Sequence, residues 1–242
     1  MLELTDRQTK ILKAIIEEYI ETAGSVGSET LDKKYNLGVS PATIRNEMVK
    51  LTKMGLLKQL HVSAGRVPSP IALKFYIHQL MKEEQLGVVD EVQVKEKIWD
   101  YRHDPVKLYQ ATTKTLADKT KSLAVAITNE GNLYHSGYAH ILDMPEFFDI
   151  DVTKNVLSLI EDFDQLHGFI GRSTGEEIIH TLIGDDFGFE PLESCSMIFT
   201  NFRLHGKEEG SLGVIGPCRL NYALIVPTVK YFGHLLEEIL NA

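Results

Sequence analysis

The 242-residue sequence lacks several features that would define its class at once. Its two cysteines, Cys195 and Cys218, are too few for a disulfide framework and do not have metal-ligand spacing. No apolar run approaches the roughly 18 residues that a membrane-spanning helix needs. The N-terminus, MLELTDRQTK, has no basic start followed by an apolar stretch, so we expect no secretory signal. These absences favour a cytoplasmic globular protein without a membrane partner.

Signals for catalysis and for metal or cofactor binding are also missing. The nine histidines form no ligand pairs at helical spacing, and GRSTGEE at 171–177 lacks the Lys-Ser/Thr of a phosphate loop. Arg219 follows Cys218, and a neighbouring arginine can lower the pKa of a thiol. No histidine stands close by in sequence to act as a base, so we interpret GVIGPCR as a strand, a tight turn and a packing arginine. We predict no catalytic residue, no metal site and no cofactor.

The net charge of -9 hides a strong asymmetry along the chain. Residues 1–85 contain 12 Lys and Arg against 10 Asp and Glu, whereas the remainder contains 13 against 24. Residues 41–82 hold seven cations and a single acid, Glu47. This distribution indicates a basic binding module on an acidic body, although a solvated lysine-rich surface explains the charge alone equally well.

Three short helices are predicted in the first 55 residues. Thr5 or Asp6 caps a helix that runs to about residue 22, Ser28 caps the second, and Ser40 with Pro41 opens a third that ends at Gly55. The last two, joined by a tight turn, form a helix-turn-helix. The segment LLKQLHVSAGRVP then predicts two short strands around a small-residue tip. We therefore predict a winged helix-turn-helix domain over residues 1–82.

The third helix has the side chains of a DNA recognition helix. Ile44, Met48 and Leu51 recur at helical spacing and should face the core, which leaves polar groups and cations outside. Recognition helices enter the major groove with their N-terminal residues at the base edges, where arginine pairs with guanine and asparagine with adenine. The candidate residues on this helix are Ser40, Ala42, Thr43, Arg45, Asn46, Lys50 and Lys53.

The wing supplies further candidates, His61, Ser63 and Arg66, around the tip sequence SAG. An arginine on such a tip suits a narrow minor groove. Two alternatives remain open from the residues alone. The domain could be a structural or protein-interaction module, and Arg45 could pair with Glu47 or Glu29 on the surface.

The rest of the chain predicts a second domain of mixed structure. We interpret the charged residues 83–105 as a linker with one or two helical turns. After it we predict a helix over about 106–121, strands at 122–128 and 133–140, and a helix over 149–166. Three more strands and a final helix at about 222–240 complete the chain. This order predicts an α+β domain over residues 106–242 with a mainly antiparallel sheet.

Several runs in this order resemble one known family. SVGSETL, VSPATIRNEMVKL, HVSAGRVPSP and KFYIHQLM resemble the N-terminal half of HrcA, the heat-inducible transcription repressor family. The run SCSMIFTNFRLHGKEEGSLGVIGPCRLNY resembles the closing segment of the same family, where G-x-I-G-P-x-R-M-x-Y is typical. Leu220 stands here in place of the methionine. The matching segments cover well over half of the chain.

The resemblance implies a winged helix-turn-helix followed by a GAF-like domain. It implies a repressor of chaperone genes that binds double-stranded DNA at an inverted-repeat operator called CIRCE, and it implies the chaperonin GroEL as a partner. Family members carry an inserted domain, associated with dimerisation, that SLAVAITNEGNLYHSGYAH lacks here. We nevertheless expect a homodimer, because a palindromic operator demands two-fold symmetry.

One alternative function also follows from the resemblance. GAF-like domains often bind small ligands, and Tyr134, Tyr138, Phe199 and Phe202 could line a pocket, although such residues more often form core. The chain could therefore be a ligand-sensing or protein-interaction module whose winged helix does not bind DNA specifically.

Overall fold

The computed structural model describes residues 3–61, 64–172 and 177–242. The chain divides into two compact units, Met1–Lys82 (unit 1) and Glu83–Ala242 (unit 2). Unit 1 contains helices α1 (Asp6–Thr22), α2 (Ser28–Lys34), α3 (Pro41–Lys53) and α4 (Pro70–Phe75), and a π-helical segment, Tyr76–Leu80, continues α4.

Side-chain capping fixes where α1 and α3 begin. The expected cap at Ser28 is wrong, because Ser28 is the first residue of α2 and the N-cap is Gly27, which makes no side-chain hydrogen bond. Thr5 and Gln8 form a capping box at the start of α1, and the Ser40 hydroxyl accepts a hydrogen bond from the Thr43 N–H at the start of α3. Gly55 follows α3 with φ +76°, a conformation that favours glycine. The inward faces of these helices form one core, which contains Ile11, Leu12, Ile15, Ile16, Leu31, Ile44, Met48, Leu51 and Leu73.

A small wing follows α3. Strands β1 (Leu57–Lys58) and β2 (Val67–Pro68) pair antiparallel, and an isolated bridge between Val26 and Arg66 adds a third chain segment to the wing. At Gly65 a Cβ atom would lie 2.4 Å from the Val26 carbonyl oxygen, so only glycine allows this close approach. The wing is therefore attached to the segment between α1 and α2.

Unit 2 is built on a five-stranded antiparallel sheet with the order β4-β3-β7-β6-β5. Its strands are β3 (Leu123–Thr128), β4 (Leu133–Ser136), β5 (His180–Ile183), β6 (Cys195–Leu204) and β7 (Lys207–Pro217). Its α-helices are α5 (Val88–Trp99), α6 (Pro105–Thr120), α7 (Tyr138–Leu142), α8 (Ile150–Leu159), α9 (Phe163–Ile170) and α10 (Tyr222–Leu240). Short 3-10 helices at Pro145–Phe148, Gly184–Phe187 and Glu190–Leu192 complete the connections.

Helices cover both faces of this sheet. Helices α6 and α10 pack on one face, and α5 packs against α6. On the other face, side chains of α8 and α9 join those of the sheet in a continuous apolar core that includes Val125, Val156, Leu159, Phe169, Met197 and Phe199. The predicted α+β fold, a winged helix-turn-helix followed by a GAF-like domain with a mainly antiparallel sheet, is confirmed.

Three predicted elements of unit 2 differ from the structure. Residues 88–99, interpreted as part of a linker, form the three-turn helix α5. The strand expected at 133–140 ends at Ser136, because Gly137 has φ +99° and starts α7. The single helix expected over 149–166 is wrong: α8 ends at Leu159, and the Asp162 side chain caps the separate helix α9.

Candidate nucleic-acid interface

Helix α3 of unit 1 presents one solvent-exposed stripe, which we call the outer face of α3. Its members recur every three or four residues, so they lie one above another along the helix. The opposite side of the helix holds the buried residues Ile44, Met48 and Leu51. The outer face of α3 consists of Ala42, Arg45, Asn46, Val49 and Lys53.

Arg45 and Asn46 lie on this face with free side chains. Neither makes a hydrogen bond or ion pair to another residue within the described ranges. The alternative pairing of Arg45 with Glu47 does not form, because the buried Glu47 carboxylate accepts hydrogen bonds from Lys50 Nζ at 3.0 Å and from Gln8 Nε2 at 3.2 Å. Five guanidinium donors and one side-chain amide are therefore available to a ligand on this face.

The first turn of α3 is held by hydroxyl groups. The Ser40 Oγ accepts a hydrogen bond from the Thr43 backbone N–H at 3.3 Å, and the two hydroxyl oxygens lie 3.1 Å apart. Ser40 and Ala42 are exposed, whereas Thr43 is half-buried. The small side chains leave the helix N-terminus accessible, and its unpaired N–H groups favour an anion such as phosphate.

The two lysines near the end of α3 differ in their surroundings. Lys50 forms an ion pair with Glu47 and donates a hydrogen bond to its carboxylate. This hydrogen bond, together with the one from Gln8, holds the pKa of the Glu47 carboxyl below its ordinary value. Lys53 is exposed and makes no ion pair to any residue that the structure describes. Lys53 therefore carries an uncompensated charge, whereas the charge of Lys50 is partly neutralised.

Arg66 lies at the root of the wing, not at its tip. Its Nε donates to Thr52 Oγ1 at 3.2 Å, and its Nη1 lies 3.4 Å from the carbonyl oxygens of Ala64 and Gly65. The half-buried guanidinium thereby links the wing to the C-terminal part of α3. Among the other wing candidates, His61 is exposed, and Ser63 lies outside the described residues.

Arg45 and Arg66 line a groove of about 420 Å³ between α3 and the wing. Ser28, Val49 and Gln59, which are not among the candidates predicted from the sequence, also line this groove. Val49 could have been found from its spacing, since it follows Arg45 by four residues and Asn46 by three. Gln59 has no comparable signal, because its place in the groove depends on the pairing of the wing strands.

Unit 2 shows no sign of the reactive thiol that was considered at Cys218. Burial raises the pKa of this thiol to about 12, and its Sγ lies 3.1 Å from the Cys195 carbonyl oxygen. The adjacent Arg219 binds Glu146 through two hydrogen bonds of 2.5 and 3.1 Å. Arg219 therefore packs the turn after β7 against Glu146 and does not activate the thiol.

The four aromatic residues considered as a pocket lining do not surround one cavity. Phe199 is buried in the core beneath α8 and α9. Phe202 is buried beside Tyr109 of α6, with ring centroids 5.7 Å apart, and Tyr134 stacks on the same Tyr109. Tyr138 remains 40% exposed on α7. Phe202 and Tyr134 share the contact with Tyr109, whereas Phe199 and Tyr138 lie elsewhere in unit 2.

A helix-turn-helix with an exposed polar helix face and an attached wing defines a winged-helix DNA-binding domain. Joined to an α+β domain, it is typical of a transcription regulator. Comparisons with family models specify the class further. The model "Winged helix-turn-helix transcription repressor, HrcA DNA-binding" matches residues 3–69, and the model "HrcA protein C terminal domain" matches residues 71–226. The chain belongs to the HrcA family of transcription repressors.

Relatives described as "Heat-inducible transcription repressor HrcA" agree over nearly the whole chain. The one from Pelotomaculum thermopropionicum is 26% identical over 340 positions, covering 99% of this chain and 98% of the relative. The one from Desulforudis audaxviator is 27% identical over 338 positions, covering 98% of each. Since this chain has 242 residues, at least 98 of the 340 positions have no counterpart in it.

A solved structure described only as that of a hypothetical protein has the same fold. Its TM-score is 0.77 at 18% sequence identity, and the match covers 98% of this chain and 99% of the other. The family is one of DNA-binding repressors and not of enzymes, as predicted. Within the described ranges no helix is long and apolar enough to cross a membrane.

Proposed function

We propose that this chain represses the heat-shock genes that encode chaperones. It would do so by binding as a dimer to an inverted-repeat operator of the CIRCE type. The observation that carries the proposal is the outer face of α3, where Arg45 and Asn46 are exposed and have no partner among the described residues. A base-reading side chain must be free of internal bonds and must stand on a rigid element, and both conditions hold here.

Three side chains of α3 would read bases in the major groove. Arg45 would donate two hydrogen bonds to a guanine, and Asn46 would pair with an adenine. Val49, one turn further along the same face and 38% exposed, would contact the methyl group of a thymine. Thr43, fixed by Ser40, would reach a base at the N-terminal end of the helix, where Ala42 allows close approach.

Other residues would hold the backbone of the duplex. Lys53 and, more weakly, Lys50 would bind phosphate groups and add affinity that depends on salt and not on sequence. His61 and Ser63 would contact DNA from the wing. Arg66 would act through the wing, because its bonds to Thr52 and to the backbone near Ala64 fix the wing against α3.

The dimer and the partner protein are also parts of this proposal. An inverted repeat presents two half-sites related by a two-fold axis, which a symmetric dimer matches. The family resemblance adds modulation by the chaperonin GroEL, which can be tested by adding the purified chaperonin to an operator-binding assay.

The proposal is tested by titrating the protein against a duplex that carries the CIRCE inverted repeat and against a scrambled duplex, at two salt concentrations. We expect sequence-dependent binding that weakens as salt increases. Arg45→Ala should weaken operator binding by about 1–3 kcal/mol per half-site and relax base preference at one position. Equal affinity for both duplexes would contradict the proposed function.

Ligand sensing by unit 2 remains a second candidate, supported by one observation. A cavity of about 300 Å³ next to α10 is lined by groups of both charges, namely Arg203, Lys230, Glu177 and Glu237, together with His180 and His234. A small polar molecule that carries both an acidic and a basic group would suit this lining. A screen of such compounds by thermal shift, with Arg203→Ala as the control variant, tests it.

A further inference from the structure

The groove between α3 and the wing has a positively charged lining. Among the described residues that border it, Arg45 and Arg66 are cationic and none is acidic. The cavity next to α10 differs, because its lining carries both charges. With a volume of about 420 Å³ and two guanidinium groups, the groove suits an anionic ligand.

A buried hydroxyl group belongs to this lining. Ser28 is only 5% exposed and borders the groove. Its Oγ makes no hydrogen bond to any residue that the structure describes. Buried hydroxyl groups in proteins are nearly always hydrogen-bonded, since an unpaired one costs free energy. The hydroxyl of Ser28 is therefore placed to bind a ligand that enters the groove.

Arg66 keeps part of its guanidinium group available to the same ligand. Its Nε donates to Thr52 Oγ1, and its Nη1 lies near two carbonyl oxygens of the wing. Its Nη2 makes no hydrogen bond within the described ranges. The bonds that fix the wing also fix the plane of the guanidinium, so the two N–H groups of Nη2 point in a set direction.

The backbone holds the segments of Ser28 and Arg66 together. Val26 and Arg66 exchange two backbone hydrogen bonds of 2.8 and 2.9 Å. Because Ser28 follows Val26 by only two residues, this bridge fixes the hydroxyl relative to the guanidinium. The approach at Gly65 is so close that a Cβ would lie 2.4 Å from the Val26 carbonyl oxygen. A site that is rigid before its ligand arrives loses little entropy on binding.

The shape of B-form DNA indicates which anion would lie in this groove. One sugar-phosphate strand separates the major groove of the duplex from the minor groove. With α3 in the major groove and the wing at the minor groove, this strand passes between them, along the groove that Ser28 and Arg66 line. Each phosphate group of that strand has acceptor oxygens for both side chains.

We propose that the groove between α3 and the wing binds one backbone phosphate of each operator half-site, held by the Ser28 hydroxyl and the Nη2 group of Arg66. This contact rests on the DNA binding proposed above and adds affinity that carries no sequence information. It gives Arg66 a direct role in DNA binding in addition to its role in fixing the wing.

Ser28→Ala separates phosphate binding from packing. It removes a hydroxyl that has no partner among the described residues, so the melting temperature should stay the same or rise. Affinity should fall for operator and scrambled duplex, by about tenfold per half-site on the operator. The slope of log K against log salt should hardly change, because the lost group is neutral.

The matched control is Ser25→Ala, which changes an exposed serine between α1 and α2, outside the described lining of the groove. It should leave both affinities unchanged. Unchanged DNA affinity of the Ser28 variant, or a loss of affinity together with a lower melting temperature, overturns the proposal.

A scan with neutral methylphosphonate groups locates the phosphate. One operator phosphate at a time loses its charge, and the unmodified chain should lose affinity at the position that lies in the groove. At that position Ser28→Ala should lose less affinity than the unmodified chain does, whereas elsewhere the two proteins should lose equally. The absence of any such position overturns the proposal.

A small anion as the ligand would give a different result. Inorganic phosphate, compared with chloride at the same ionic strength, should not displace the operator, because a free phosphate lacks the contacts of α3 to the bases. Displacement by inorganic phosphate that Ser28→Ala abolishes would assign the groove to a small anion and overturn the proposal. Equal affinity for operator and scrambled duplex would contradict the proposed repressor function, and weakening of both duplexes by Ser28→Ala would then still support the phosphate contact.

Discussion

The contact proposed for Val49 gives the sharpest test of how α3 meets DNA. Val49→Ala removes two methyl groups, each worth about 0.8 kcal/mol when fully buried. Since the side chain is 38% exposed in the free protein, DNA can bury only that fraction, so we expect a loss of about 0.6 kcal/mol per half-site. This corresponds to about a threefold loss in affinity for one half-site and roughly eightfold for two.

The assay is a double-mutant cycle between protein and DNA. Uracil replaces thymine at one operator position at a time, which removes only the thymine methyl group. At the contacted position, the unmodified protein should bind the uracil duplex more weakly than the thymine duplex. The Val49→Ala variant should bind the two duplexes equally. Equal, additive losses at every position would refute the contact.

Two controls separate this contact from an effect on folding. Alanine favours helix more than valine does, so Val49→Ala should not lower the melting temperature through the helix itself. Ile71→Ala truncates another exposed apolar residue of unit 1, on α4 and outside the outer face of α3. It should leave the affinities for both duplexes unchanged.

Three further predictions concern charge, packing and pH. Lys53→Ala should weaken binding to operator and scrambled duplex alike. It should reduce the slope of log K against log salt by about 0.9 per half-site, or about 1.8 for a dimer, measured by titration at several salt concentrations. An effect on the operator alone would contradict a phosphate contact. Gly65→Ala should lower the melting temperature, because its Cβ would lie 2.4 Å from the Val26 carbonyl oxygen; an unchanged melting temperature would show that the wing relaxes freely. Folding lowers the pKa of the Glu47 carboxyl below its unfolded value of about 4.3. The ionised carboxylate therefore stabilises the folded state fully above that value, and this stabilisation is lost as the pH falls through the folded pKa. Between about pH 6 and pH 3 the melting temperature should therefore fall less steeply for Glu47→Gln than for the unmodified chain. Equal slopes for the two proteins would refute this role of Glu47.

The helices of unit 1 could be predicted because their signals are local. Ser40 and Pro41 mark the start of α3 within two residues, and the spacing of Ile44, Met48 and Leu51 identifies its buried side. The exposed positions of Arg45 and Asn46 follow from the same periodicity. Capping and periodicity depend only on neighbours within one or two turns, so a sequence is sufficient to locate them.

Contacts between distant segments could not be predicted in this way. The position of Arg66 depends on its backbone bridge to Val26, forty residues earlier, and on the hydroxyl of Thr52. The binding of Glu47 by Gln8 likewise joins α3 to α1 across 39 residues. Val49 was missed for another reason: an apolar residue on a helix is usually assigned to the core, although the spacing of Val49 from Arg45 and Asn46 places it on the exposed side.

The distribution of charge between the units bears on specificity. Unit 1 holds 12 Lys and Arg against 8 Asp and Glu, whereas unit 2 holds 13 against 26, so the chain joins a domain of net charge +4 to one of -13. Counter-ion release at phosphates strengthens binding to any duplex, and a large acidic domain opposes that general attraction. Base contacts such as those proposed for Arg45 and Asn46 are not weakened in proportion, because they depend on short hydrogen bonds and not on the long-range field. We therefore expect the acidic unit 2 to lower binding to random DNA while preserving the difference between operator and non-operator sites. That difference, more than affinity itself, determines whether a repressor finds its operator among many competing sites.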